Sequence, residues 1–270
     1  MAALVKATSR SIPLFEIIFF RGLLSTLFLI PLCLHFKLPL RGNNQRLLVM
    51  RGLFGFTALI FNFFALSKIS LVNESVLRQT TPIFVILLSL IIFKERFFPS
   101  LLIFILIAVF GIILILKPQN NFVNWGSLSA IFGAFLAACA YLSIRQLHSS
   151  EETPIISLYF SLVSALAALP FLLWHWETPD LKSTLSLLGI GISGTLGQLT
   201  LTHAYKYSEA SWVTPFTYLQ VPFSLVLGIL FFKEVPDLLS FGGLILTMAS
   251  CLILVIIKTR MEKKDLVPLT

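Results

Sequence analysis

Apolar runs of roughly 20 residues recur from Ile17 to Ile257, and each is long enough to cross a hydrocarbon core of about 30 Å. Bounded by charges, Pro and Gly, they give about nine spans: Ile17–Phe36, Gly52–Leu66, Val72–Phe93, Phe97–Leu116, Trp125–Ile144, Ile155–Trp174, Leu185–Tyr205, Ala210–Phe232 and Leu238–Ile257. The Gly52–Leu66 run is short, and Ser67–Leu71 behind it leaves its end open. With 57% hydrophobic and 12% charged residues, about half the charged share of a soluble domain, the chain has too much apolar surface for a soluble fold to cover. The bilayer is its solvent, and the expected fold class is an all-α polytopic membrane protein.

The formal charge of +8 forms no basic stripe interleaved with aromatics and lies almost entirely between the apolar runs, which excludes nucleic acid as a partner. Cys33, Cys139 and Cys251 all fall inside apolar runs, with no CxxC pair and no metal-type spacing to a histidine. They read as small core residues, and no cofactor is expected. Met1–Ile12 has no apolar stretch of its own, so nothing there resembles a cleavable signal.

Sorting the loops onto alternate sides places twelve Lys and Arg on one face, among them Lys37, Arg41, Arg46, Arg51, Lys94, Arg96 and the cluster Lys258–Lys264, against six on the other. Basic loops stay in the cytoplasm. The C-terminus and the Lys37–Arg51 loop are therefore expected there.

A shift of 139 residues superposes the two halves without a gap. Gly52 meets Gly191, Gly55 meets Gly194, Ala65 meets Ala204, Phe84 meets Phe223, and Phe93-Lys94-Glu95 meets Phe232-Lys233-Glu234. The counterpart of Trp125–Ile144 would lie upstream of residue 6, with Met1–Ala7 aligned to Ala140–Gln146. The parent architecture is then five plus five spans with most of the first missing here; an upstream start or a truncated form would each account for that. An odd number of spans per half sets the halves upside down, the inverted repeat of many secondary transporters. The division follows as 1–117, 118–260 and a basic cytoplasmic tail, 261–270.

Phe15-Glu16-Ile17-Ile18-Phe19-Phe20-Arg21, the Arg51-Gly52-Leu53 start of a span, Ala65–Pro82 leading into Phe93-Lys94-Glu95, and Ala204–Phe232 with Lys233-Glu234 carry a further likeness. On these residues the chain resembles the EamA branch of the drug/metabolite transporter superfamily. Within it, the chain is similar to S-adenosylmethionine uptake transporters of intracellular bacteria. The resemblance implies two EamA-type repeats, a multi-pass position in a bacterial inner membrane, and a central cavity lined by the first helix of each half.

Polar residues within the spans are the candidate site. Arg78 sits seven residues into Val72–Phe93 and is followed by Gln79, Thr80, Thr81 and Pro82; the proline frees a carbonyl near Arg78 and loosens the helix. Glu74, one turn before, could form a plain ion pair with it. In the second half Pro215 and Pro222 flank Thr217, Tyr218 and Gln220, with Thr217 aligned to Arg78. Broken helices at matching positions of two halves point to a transporter site. Trp212 and Tyr218 could stack on a planar ligand, with the interfacial belt an equal alternative for Trp212, whereas Trp125, Trp174 and Trp176 suit the belt. Arg21, about four residues inside its span, is either a structural anchor, snorkelling or paired with Glu16, or a cavity charge. Asn62, Gln198 and His203 read as scaffold, as do the Gly and Ser between 189 and 197. Lys94-Glu95 and Lys233-Glu234 read either as local ion pairs or as gate latches.

The resulting expectation is secondary transport of a small anionic or zwitterionic metabolite, S-adenosylmethionine-like or amino-acid-like, by alternating access. Its cavity would be lined by Arg78, Gln79, Trp212, Tyr218 and Gln220, with Arg21 as a further charge. No Walker-type loop is present. The competing classes are a membrane-embedded enzyme of lipid metabolism and a non-transporting scaffold. The solute and membrane lipids are the partners, with homodimerisation left open.

Overall fold

The computed structural model describes residues 1–93, 124–173, 176–207, 220–234, 237–239, 241–246 and 248–250, with single positions elsewhere. The helices are α1 (Ala2–Thr8), α2 (Leu14–His35), α3 (Gln45–Lys68), α4 (Leu71–Leu77), α5 (Thr80–Ile92), α6 (Trp125–Leu147), α7 (Thr153–Leu172), α8 (Leu181–Tyr207) and α9 (Gln220–Phe232). Six segments among the described residues are long and apolar enough to span a membrane, counting α4 and α5 as one, Leu71–Ile92. Gln220–Phe232 and Phe241–Ser250 are shorter apolar helices. Most of the run Phe97–Leu116, Lys94-Glu95, Arg96, Trp174, Cys251 and the tail 261–270 lie outside the described residues.

Capping explains where several helices begin. The Asn44 side chain accepts from the Leu47 amide at 3.3 Å, so α3 starts at Gln45 rather than at Gly52. Arg51 is therefore not a loop cation: it sits inside α3 with 1% of its surface exposed, and the charge count loses one of its twelve. Ser70 caps α4 through the Asn73 amide at 3.1 Å. Asp180 does the same ahead of α8, where the Ser183 hydroxyl and amide hold its carboxyl below the usual range. The span containing Arg78 is broken at Arg78-Gln79, which end α4 and precede α5. Pro82 is the third residue of α5, where a missing N–H leaves no ladder bond unmade.

Burial is inverted relative to a water-soluble protein. Phe28, Leu166, Ile192 and Phe231 are more than half exposed, while Glu16, Arg21, Arg51, Asn62, Glu74 and Gln79 are buried. Lipid is as apolar as these outward side chains, so close packing rather than apolar burial holds the helices together. Helix α2 crosses α7 antiparallel: Phe15 stacks on Phe171 at 4.1 Å near one end, and in the loop beyond the other end Asn43 Nδ2 donates to the Ser150 carbonyl at 2.8 Å. At the crossing a Cβ on Gly22 would lie 2.8 Å from the Ser161 carbonyl oxygen and 2.9 Å from the Ala165 nitrogen.

The 139-residue offset reappears in the helix ends and in the contacts. Thr8 and Leu147 end α1 and α6, Leu14 and Thr153 begin α2 and α7, and Lys68 and Tyr207 end α3 and α8; each pair differs by 139. Gly22 and Ser161, which meet at the α2–α7 crossing, are also 139 apart. Gly52 packs against Val163 and Gly191 against Leu24, while Gly55 packs against Phe160 and Gly194 against Arg21. In each case the partner residues differ by 139 in the opposite sense. Lys6 lies over the Phe232 ring and Arg145 over the Phe93 ring in the same exchanged relation.

Gly22→Val should destabilise the protein by about 1–3 kcal/mol, because two backbone atoms of α7 already occupy the space its side chain would take. Thermal unfolding in detergent checks this. Gly242→Ala, with nothing within 4 Å of the added carbon, should leave the midpoint nearly unchanged.

Candidate functional site: an arginine-lined cavity between the helices

A cavity of about 390 Å³ opens among α1, α2, α3, α4, α6, α7, α8 and α9, within the range of small-molecule pockets, roughly 300–1,000 Å³. Its polar lining includes Arg21, Arg51, Asn62, Arg78, Tyr141, Ser193, Gln198, Gln220 and Ser224. No Asp, Glu, His or Cys stands among its described lining residues.

Arg21 on α2 and Arg51 on α3 are 3% and 1% exposed and converge on one ring, Phe160 of α7. Their guanidinium carbons lie 5.0 and 4.2 Å from its centroid. Space for this cluster comes from two glycines: a Cβ on Gly55 would stand 2.5 Å from the Phe160 ring and 2.6 Å from Arg51 Nη1, and one on Gly194 would stand 3.0 Å from Arg21 Nε. The ring offsets part of the cost of burying the charge, about 0.5–2 kcal/mol per contact. It accepts no conventional hydrogen bond. Nε and Nη1 of both arginines are buried with no hydrogen-bond partner among the described residues. Each such donor costs about 1–3 kcal/mol if left unmade.

Arg78, the last residue before the break, is held differently. Its Nη1 lies 3.8 Å from Oε1 of Glu74, a fully buried carboxylate one turn back. The ion pair is real but long, and Arg78 still lines the cavity.

The structure sorts the sequence candidates. Arg21, Arg78 and Gln220 line the cavity. Arg21 is not paired with Glu16, whose Oε2 instead accepts from the Glu177 amide at 3.2 Å. Gln79 points elsewhere: its Nε2 donates to the Thr217 carbonyl at 3.1 Å and its Oε1 accepts from the Thr217 hydroxyl at 3.2 Å, so it ties the α4–α5 joint to the second half of the chain. Trp212 and Tyr218 lie outside the described residues. Asn62, Gln198, Ser193, Gly194 and Gly197 were expected to be scaffold and are cavity wall. His203 rests against Tyr207 instead. Arg51, Tyr141 and Phe160 were missed altogether. The repeat could have flagged Phe160, which is the position equivalent to Arg21.

Ion pairs stand at both ends of the bundle. At the end where α1, α3 and α9 finish, Lys6 Nζ lies 2.7 Å from Glu234 Oε1 and donates to the Ile69 carbonyl at 2.6 Å, while Glu234 Oε2 accepts from the Leu71 amide at 2.8 Å. Glu234 thus pairs with Lys6 of the first half rather than with its neighbour Lys233. At the other end Lys206 Nζ donates to Glu152 at 2.8 Å and Glu151 accepts from the Asn44 amide at 2.6 Å.

Comparison with known proteins fits this arrangement. The profile of the EamA-like transporter family matches residues 1–117 and 124–256. The pseudopaline exporter CntI of Pseudomonas aeruginosa (strain UCBPP-PA14) is 34% identical over 260 residues, covering 94% of this chain and 90% of the exporter. An S-adenosylmethionine uptake transporter of Rickettsia prowazekii is 24% identical, covering 89% of this chain and 82% of the transporter. A solved crystal structure, 17% identical, superposes with a TM-score of 0.75 over 96% of this chain and 93% of its own, which shows a shared fold. This multi-pass membrane protein belongs to the EamA-like transporter family.

Proposed function

We propose that the chain is a secondary transporter that moves a small anionic or zwitterionic organic metabolite across a bacterial inner membrane by alternating access. The observation that carries this reading is the cavity lined by Arg21, Arg51 and Arg78, each within a helical segment long enough to span a membrane. Buried charges of this kind mark solute pathways. An enzymatic alternative would need acid–base groups or metal ligands, and the described lining has none of the usual ones.

The rocking parts are two inverted halves, on this reading. At the α2–α7 crossing, antiparallel helices meet at residues 139 apart, and the Gly52, Gly55, Gly191 and Gly194 contacts recur with their partners exchanged. A two-fold axis across the helices, in the membrane plane, accounts for both features. Lys6–Glu234 then acts as a latch on the outer side and joins the two halves. The relatives' names speak of a pseudopaline exporter and an S-adenosylmethionine uptake transporter, which supports a metabolite as cargo and leaves direction open. Three arginines weigh against a cargo with net positive charge.

The direct test is purified protein in proteoliposomes offered a panel of labelled carboxylates and amino acids. Solute-dependent accumulation is expected, and Arg78→Gln should reduce it by about tenfold or more at matched protein levels, the loss of one charge-assisted contact. Unchanged transport would remove Arg78 from the site.

Orientation has its own readout. A reporter active only outside the cytoplasm, fused after Arg260, should be silent. The latch can be probed in a cysteine-free background carrying Ala3→Cys on the cavity wall. Glu234→Gln should weaken the closed outer face by about 1–3 kcal/mol, the worth of hydrogen bonds to a charged group. Ala3→Cys should then be labelled faster by a membrane-impermeant maleimide added outside.

A further inference from the structure

We infer that the solute of this cavity is a dianion, a dicarboxylate or a molecule with two equivalent anionic groups, one held by the Arg21–Arg51 pair and the other near Arg78. The inference rests on the transport reading above and narrows its substrate class.

The first support is charge balance. Three guanidiniums line the cavity, and among the described residues one carboxylate, Glu74, lies within ion-pair distance of any of them, at 3.8 Å from Arg78. Arginine keeps its proton in proteins. Two positive charges therefore have no carboxylate partner among the described residues, and a solute with two negative charges neutralises them, whereas a single carboxylate leaves one unmatched.

The second support is geometry. Because Arg21 and Arg51 lie 5.0 and 4.2 Å from the same ring centroid, their guanidinium carbons are at most 9.2 Å apart, the sum of the two distances. Buried donors on both, Nε and Nη1, have no acceptor among the described residues. Charge-assisted bonds to a carboxylate in fork geometry are the strongest use of such donors. Arg78 sits on a separate element, at the α4–α5 joint. The positive charge is thus divided between two places, and two anionic groups on one short carbon chain match that division better than one.

The apolar remainder of the wall fits the same shape. Leu59, Phe160, Phe223 and Leu227 line the space around the arginines, so a hydrocarbon linker between the two anionic groups meets apolar surface. A cationic amine at that point would meet no carboxylate among the described lining residues.

The full-length protein, purified in detergent, tests this by thermal stabilisation with succinate, glutarate and citrate against butyrate, alanine and putrescine. The dicarboxylates and citrate should stabilise at concentrations about tenfold or more below those needed for butyrate or alanine, and putrescine should not stabilise at all. Equal or tighter binding of the singly charged, zwitterionic or cationic probes overturns the inference, as does the absence of stabilisation by succinate and glutarate. Arg21→Gln and Arg51→Gln should each shrink the preference for succinate over butyrate to about threefold or less, whereas Arg51→Lys, which keeps the charge, should retain more than that. If a Gln variant does not fold, the wild-type comparison still decides. Proteoliposomes separate this inference from the reading beneath it. Accumulation of alanine or butyrate and not of succinate, glutarate or citrate keeps transport and overturns the dianion. Failure of every probe to accumulate counts against transport, while the stabilisation series still decides the charge of the ligand.

Discussion

A guanidinium that cannot lose its proton governs the design of this protein. Placed in hydrocarbon it costs at least a few kcal/mol even on insertion-based scales, and around Arg21 and Arg51 the fold answers with space, an aromatic face and a cavity. Gly55 and Gly194 clear room for the side chains, Phe160 lies against both, and both arginines line the cavity. The small residues of α3 and α8 are therefore shaped by the arginines as much as by helix packing. A methyl group at residue 55 would collide with both members of the Arg51–Phe160 contact.

The second requirement is a joint. Helices α4 and α5 are separated at Arg78-Gln79, and the two residues at the break do different work. Arg78 faces the cavity while Gln79 clasps Thr217 with both ends of its amide. A continuous helix would turn successive side chains by about 100°. At the break the backbone stays bonded, Arg78 N to the Glu74 carbonyl and Thr81 N to the Arg78 carbonyl, while Arg78 lines the cavity and Gln79 holds Thr217.

The fold class was readable because bilayer thickness imposes a run length that composition cannot imitate, and the 139-residue offset was visible because Phe-Lys-Glu recurs with Gly52, Gly55, Gly191 and Gly194 in the same register. The site was readable only in part. Arg78 and Gln220 stand out because a polar cluster beside proline is rare in an apolar run. Arg51 was hidden for the converse reason: hydropathy treats each charge as the edge of a span, and with Arg46 only five residues before it Arg51 passes for the end of a basic loop. Phe160 was invisible because a phenylalanine among apolar neighbours carries no mark until the two cations that touch it are located. Asn62 and Gln198 were assigned to helix packing since their direction, into the cavity or into a neighbour, is settled by rotation about the helix axis, which a near-uniform apolar run does not fix.

Arg21 and Phe160 occupy equivalent positions of the 139-residue repeat, yet one is the cation and the other is the ring against which it rests. Two identical chains paired about an axis would put two arginines or two phenylalanines there, never one of each. The mixed pair can exist only where the two sequences that meet there differ, as residues 1–117 and 118–260 of this chain do. The positive charge of the cavity is uneven in the same sense: Arg21, Arg51 and Arg78 all belong to residues 1–117.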